Sequence, residues 1–204
     1  MSDPNLIVHD LRAIWEAWNS HENLDRMIFP EEFTEDLEIK EQILFYRSMR
    51  AKHKKIIFNG RFKESQTFYE SLEYGLNKYV EPIHPLYSLF PISARKLRCM
   101  TADYIEQHPL EFQSFEEYAE LVASDPEFCG KIRDNAVWSG DIEIASIAEV
   151  LNINIQIFVY DLNKKEIVPK MYGHFTEPSA PAVSIGYRPI AKSYDSILHL
   201  NALL

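Results

Sequence analysis

One stretch, "WSGDIEIASIAEVLNINIQIFVYD" from Trp138 to Asp161, limits the fold of this chain more than any other. Its Trp-Ser-Gly-Asp start leads into an apolar helix over 140–151. Asn152 breaks that helix, and the alternating, β-branched run that follows is a strand. A helix that turns directly into so apolar a strand must pack on a sheet, so the fold needs both element types.

The remaining segments divide unevenly around this passage. "SDPNLIVHDLRAIWEAWNS" opens with a capping pattern, and Leu6, Ile7, Leu11, Ile14, Trp15 and Trp18 fall on one helical face. "TEDLEIKEQILFYRSMRAKHKK" reads as a second helix capped by Thr34, and "KKIIFNG" as a short strand ending in a turn at Asn59-Gly60. The spacing of Phe68, Leu72, Leu76 and Val80 gives a helix, while three prolines make "EPIHPLYSLFP" a loop. "ISARKLRCMTADYIEQHP" is an amphipathic helix stopped by Pro109, and "SFEEYAELVAS" is another, capped by Ser114. A hairpin-like "LNKKEIVPKMY", the apolar run "PAVSIGY" and a terminal strand in "SYDSILHLNALL" complete the order. Helices come first and strands last, an α+β layout with helices flanking a small, mostly non-local sheet. Two parts are expected, an N-terminal helical extension over 1–54 and a domain over 55–204.

Composition excludes several functions. A net charge of -10 over 204 residues argues against nucleic acid as the partner, since that binding rests on neutralising phosphates. The basic cluster "RSMRAKHKK" (Arg47 to Lys55) reads as a solvated helix end or as a localisation or partner patch. No apolar run reaches the roughly 20 residues of a membrane span, and the N-terminus lacks a signal pattern. Two cysteines, Cys99 and Cys129, make no disulfide framework, and no residues have metal-ligand spacing. No cofactor is expected, and the expected compartment is the cytoplasm or nucleus. The stripe of Leu11, Ile14, Trp15 and Trp18 either packs on the domain or binds a protein partner, a second copy included.

In this order the elements resemble the ovarian-tumour (OTU) family of cysteine deubiquitinases, from about Lys55 to Ile197. "ESQTFYESLEYGL" resembles the family's Asp-Gly-Asn-Cys loop and following helix, with Phe68, Tyr69, Ser71 and Leu72 fitting Cys-Phe-Tyr-Arg-Ser-Leu. "RKLRCMTADYIEQHP" is similar to its Leu-Arg…Tyr-Ile segment. "WSGDIEIASIAEVL" resembles its Trp-Gly-Gly-x-x-Glu-Leu helix, and "SYDSI" its terminal His-Tyr-Asp-Ser-Val. The resemblance implies a papain-type α+β fold, with a small mixed or antiparallel sheet flanked by helices.

It also places the departures. The nucleophile position carries Thr67 and the base position Ser193, with Asp195 in the place of the orienting acid. A threonine hydroxyl ionises far above a thiol, and a serine does not accept a proton as imidazole does. Glu64, Ser65 and Gln66 stand for the loop's Asp-Gly-Asn, removing a glycine that lets backbone amides turn towards an oxyanion. Across Trp138, Ser139 and Gly140, Ser139 replaces one glycine. The expectation is therefore a catalytically inactive OTU-like domain, not an enzyme, acting as a protein-binding or scaffolding module with ubiquitin or another protein as partner. The alternative is an active deubiquitinase or hydrolase with rearranged catalytic residues.

Plainer roles are expected at single positions. Thr67 serves as an N-cap with Glu70 completing a capping box. Ser193 is a polar residue entering a strand, and Trp138 a packing aromatic. Glu143 is a surface residue or a supporting contact. Cys99 is a buried small residue of a helix, and Cys129 lies in a loop. His84 and His108 read as loop or helix-end residues. His199 imitates the terminal motif six residues late.

Overall fold

The computed structural model describes residues 54–57, 67–79, 88–89, 91–109, 111–112, 125–161, 163–164, 166–173, 182–189 and 193–199, together with Glu41, Leu44, Phe45, Ser48 and Met49. The elements are β1 (Lys54–Ile57), α1 (Thr67–Tyr79), α2 (Ala94–Gln107), α3 (Phe128–Arg133), α4 (Asp141–Leu151), β2 (Asn154–Asp161), β3 (Glu166–Tyr172), β4 (Ala182–Arg188) and β5 (Ser193–His199).

The α4–β2 passage is built as its sequence requires. Asn152 takes the left-handed conformation (φ 49°, ψ 52°), and its amide donates to the carbonyls of Ala148 and Glu149. Asparagine tolerates that region better than other non-glycine residues, so it ends the helix and turns the chain straight into β2. At the far end of β2, the Asp161 carboxylate accepts from the amides of Asn163 (2.9 Å) and Lys164 (3.1 Å). This side-chain-to-backbone turn returns the chain as β3, antiparallel to β2.

Among the described residues the five strands form one sheet in the order β1-β5-β4-β2-β3. β4 runs parallel to β2, with Ile157 opposite Ile185, while β5 pairs antiparallel with both β4 and β1. The sheet is mixed, and with the helices the architecture is α+β.

Alternation along β2 sends successive side chains to opposite faces. Ile155 and Ile157 join Phe68, Leu72 and Leu76 of α1, Leu97 of α2, Ile144, Ile147 and Leu151 of α4, and Val183 and Ile185 of β4 in the main core. Phe158 and Tyr160 instead pack with Ile167 against Phe45 and Met49, both fully buried, from helical residues ahead of β1. Each such large side chain contributes about 1.5–3 kcal/mol by leaving water. Side chains that precede residue 54 therefore cover one face of the sheet, and the expected boundary at 54/55 falls inside β1.

A third cluster joins α2, α3 and the start of α4 through Ala102, Ile105, Phe112, Phe128, Ile132 and Ile142. Outside it, Arg133 forks onto Glu106 (2.6 and 2.7 Å) and Asp103 (2.7 Å). The helix α3 corrects the reading of Cys129 as a loop residue. "FCGKIR" is too short to show a period, but Phe128 and Ile132, four apart, share one buried face. Residues 1–40, the segment 114–124 and the turn at 59–60 lie outside the described residues, and with them the first expected helix, the Thr34 cap, the helix capped by Ser114 and the Asn59-Gly60 turn. No helix among the described residues is long and apolar enough to cross a membrane.

Candidate functional site

The site forms where the start of α1, the beginning of β5 and the turn before α4 meet. Thr67 is the first residue of α1 and is buried. Its Oγ1 accepts the backbone N–H of Tyr194 at 3.0 Å. Sequence reasoning assigned this hydroxyl a local capping bond; the structure turns it to a strand far along the chain. The Tyr194 hydroxyl in turn donates to the Ser139 carbonyl at 2.7 Å. The Tyr194 ring stacks on Tyr187 (4.5 Å between centroids) and meets Phe68 edge-on (5.3 Å). One residue thus ties together the three segments that hold Thr67, Ser139 and Ser193.

Ser193 is the first residue of β5, opposite Arg188, and Asp195 lies two residues on, opposite Gly186. Ser193 is the chain neighbour of the residue that bonds Thr67. His199 is at the other end of β5, paired with Lys54. Five residues of strand separate it from Tyr194, about 17 Å of rise, so it is no base for a group at residue 67. Glu64, Ser65 and Gln66 of the loop before α1, and Leu11, Ile14, Trp15 and Trp18 of the N-terminal stripe, lie outside the described residues, as does His84.

The turn at 138–140 is fixed from within. Glu143 is buried, and its Oε2 accepts the Gly140 amide at 2.9 Å. This is the carboxylate half of a capping box; Gly140 has no side chain to return the bond. Of the two roles open for Glu143, the structure chooses the supporting contact. Trp138 departs from its expected role as a packing aromatic, for its side chain is 44% exposed. The core beneath is already filled by Ile142 and Phe128, which leaves the indole at the rim of a cavity of about 340 Å³ lined also by Val137, Asp141 and Glu143. Asp141, the first residue of α4, is held by Lys170 and by the Tyr172 hydroxyl (2.6 Å), both from β3.

Burial favours the neutral form of the phenols at the site. Burial, followed by the nearby Glu143 carboxylate, raises the Tyr69 phenol far above its ordinary pKa. Burial also raises Tyr194. The two thiols lie elsewhere: Cys99 is half-buried in α2, and Cys129 is half-buried in α3, where burial and then Glu106 push its pKa up. A raised pKa is the opposite of what a thiolate nucleophile needs. His108 ends α2, with Nδ1 2.9 Å from the Tyr104 carbonyl and its ring stacked on Tyr104. Among the described residues no group of three or more His, Cys, Asp or Glu is placed to hold a metal.

Chemically, the first residue of α1 offers an oxygen, not a sulfur. That oxygen lies at a helix N-terminus and already receives one backbone N–H. Both features favour negative charge on it.

The family model described as OTU-like cysteine protease matches residues 68–188, more than half of the chain. The chain belongs to the OTU family. Its matched region begins one residue after Thr67 and ends before Ser193, so the match lies between the two positions in question. A ubiquitin thioesterase, otu2 of Schizosaccharomyces pombe, is 31% identical over 70 residues, which is 33% of this OTU chain and 23% of the yeast protein. The chain thus spans under a quarter of that relative's length. Among solved structures, the OTUD1 OTU domain superposes with a TM-score of 0.57 at 19% identity, covering 79% of this chain and 94% of that domain. A ubiquitin-bound OTU deubiquitinase from Wolbachia pipientis wMel gives 0.51 at 11% identity (74% and 98%). The Hazara virus OTU bound to ubiquitin gives 0.50 at 15% (72% and 82%). At such identities these likenesses speak for the fold.

The expectation that this chain is not an enzyme is corrected by these findings. It was drawn from the substitutions at residues 64–67, 139 and 193, whereas the family is one of cysteine proteases and the relative a named thioesterase. Tyr194, Tyr69 and Arg98 were not singled out as site residues from sequence. Their signal was membership of family-like motifs: Tyr69 fits the Cys-Phe-Tyr pattern, Tyr194 stands in "SYDSI" and Arg98 in "RKLRCMTADYIEQHP".

Proposed function

We propose that this OTU domain is directed at ubiquitin conjugates and hydrolyses them with a catalytic set rearranged around Thr67. The observation that carries the reading is the meeting of three family-like segments at one point. Thr67 bonds Tyr194 and Tyr194 bonds Ser139, which assembles the frame of the site although its residues differ. The thioesterase name of the yeast relative, and the ubiquitin held by the Wolbachia and Hazara virus domains, support ubiquitin as the ligand class.

The chemistry sets the expected rate. A threonine hydroxyl with no imidazole in the family's position attacks a carbonyl much more slowly than a thiolate does. The Tyr194 amide and the α1 dipole lower the cost of charge on the oxygen without replacing a base.

The test has two arms. In the first, the protein is incubated with fluorogenic ubiquitin and di-ubiquitin; slow turnover that disappears in Thr67→Val is expected. Turnover unchanged by Thr67→Val, or bound ubiquitin with no turnover, overturns the hydrolytic part. In the second, Thr67→Cys is treated with a ubiquitin probe bearing a C-terminal electrophile. A docked ubiquitin tail brings the electrophile to the introduced thiol, so labelling there ahead of Cys99 and Cys129 is expected. Absence of labelling, together with absence of binding, overturns ubiquitin as the ligand.

A further inference from the structure

The cavity beside the 138–140 turn has two chemical characters. Phe128, Val137 and Ile142 give it apolar walls, while Asp141 and Glu143 add two carboxylates. Trp138 stands at its rim, 44% exposed. An indole half in water beside an apolar hollow is the kind of residue that anchors a bound chain.

The surrounding charges decide what enters. Lys170 meets Asp141 from β3, while Glu143 bonds the uncharged Gly140 amide. The field keeps the same sign at α3. Burial is the first cause that raises the Cys129 pKa, and Glu106, Glu143 and Asp103 add to it against Arg133 alone. On the α1 side, Tyr69 feels Glu143 against Arg98. Asp103, Glu106, Asp141 and Glu143 thus outnumber Arg98, Arg133 and Lys170. The start of α4 would by itself draw an anion, but its first turn already carries Asp141 and Glu143.

We propose that this cavity is a subsite for a long basic side chain, arginine or lysine, of a protein segment laid across the 138–140 turn. Such a side chain has an apolar stem to set against Phe128, Val137 and Ile142, and a cationic end to set against the carboxylates. Trp138 offers the cation a ring face as well. An acidic side chain would meet like charge here, and an apolar one would desolvate the carboxylates without replacing their solvent. The segment passes close to Thr67, because Ser139 lies between two residues that line the cavity. Its carbonyl accepts the Tyr194 hydroxyl, and Tyr194 bonds Thr67. The proposal concerns binding alone and holds whether or not Thr67 hydrolyses anything.

Nuclear magnetic resonance of the isotope-labelled full chain tests this. The Trp138 indole N–H signal reads the site, and its absence from Trp138→Phe identifies it. The probes are acetylated, amidated Gly-Gly-Xaa-Gly-Gly peptides with arginine, lysine or citrulline at the central position. Citrulline keeps the shape of arginine and drops its charge. The arginine and lysine peptides are expected to move the Trp138 signal saturably, with citrulline binding at least about fivefold more weakly. Raising salt from about 0.05 to about 0.5 M should weaken the two charged peptides and leave citrulline unchanged. Asp141→Asn, with its core signals in place, should weaken the arginine peptide by about threefold. The citrulline comparison uses the parent chain and depends on no variant folding. Equal affinity for the arginine and citrulline peptides, a Trp138 signal that does not move, or an Asp141→Asn variant that binds arginine as before overturns the proposal. So does a saturable shift with acetate that the arginine peptide does not produce, since that places an anion at the start of α4.

Discussion

The Tyr194 backbone N–H donates to the Thr67 hydroxyl across 3.0 Å, joining positions 127 residues apart. The bond is buried, so its removal strands an amide in the interior. Thr67→Val keeps the shape and loses the acceptor, which costs about 1–3 kcal/mol of stability by the penalty for an unsatisfied buried donor. Thr67→Ser retains the oxygen and is expected to lose less than about 1 kcal/mol. Urea denaturation of the two variants measures the difference; equal losses would show that the methyl packing, not the hydrogen bond, matters at this position.

The second bond of the same residue is separable. Tyr194→Phe leaves the ring stacked on Tyr187 and removes only the hydroxyl that meets the Ser139 carbonyl. A loss of about 0.5–1.5 kcal/mol is expected. Since burial holds the Tyr194 phenol protonated at every ordinary pH, this loss should be the same at pH 6 and pH 9. A difference between the two would mean that another group titrates with the bond.

Helix α1 lies against the sheet so closely that Gly75 has a packing reason to be glycine. A Cβ built there would come within 2.5 Å of Val183 Cγ1. In an ordinary helix Gly→Ala stabilises by up to about 1 kcal/mol through propensity. Here overpacking wins, and Gly75→Ala is expected to destabilise by about 1–3 kcal/mol. Adding Val183→Ala removes the clashing methyl and should recover part of the loss. A more stable single variant would show that α1 can move off the sheet at little cost.

The parts of the fold that were legible in the sequence are those whose period is long or whose ends are chemically marked. α4 and β2 could be read because eleven residues of helix pass through a left-handed asparagine into eight residues of strand. α2 could be read to its end because Pro109 stops it; its start at Ser93, whose hydroxyl accepts from the Lys96 N–H, came from the structure. α3 was missed because six residues hold barely more than one helical period. Trp138 was misplaced because an aromatic beside a helix start looks the same in sequence whether it faces the core or solvent. The site itself was legible only as positions. Which oxygen meets which amide depends on β5 lying next to the start of α1, and no local pattern near Thr67 carries that long-range fact.

The link between β3 and α4 gives a pH dependence with a definite sign. Burial alone would raise the Asp141 pKa, but hydrogen bonds from Lys170 and Tyr172 and the Lys170 charge outweigh it, and the net direction is down. The folded state therefore binds this proton less readily than the unfolded chain, where an aspartate titrates near about 3.9. The stabilisation is complete above that value and disappears as pH falls through the lower, folded pKa. Both ion-pair side chains are well exposed, Lys170 at 52% and Asp141 at 42%, so solvent screens their attraction to about 0–1 kcal/mol. Asp141→Asn should accordingly be less stable than the parent at pH 7 by about that amount. The gap should narrow below about pH 4, where the parent carboxyl takes up its proton and both proteins carry a neutral group. Adding about 0.5 M salt at pH 7 should narrow it too, by screening Lys170 but not the Tyr172 hydrogen bond. A gap that stayed constant from pH 7 to pH 3 would mean that Asp141 contributes by shape alone, and that its carboxylate charge does not hold β3 to the start of α4.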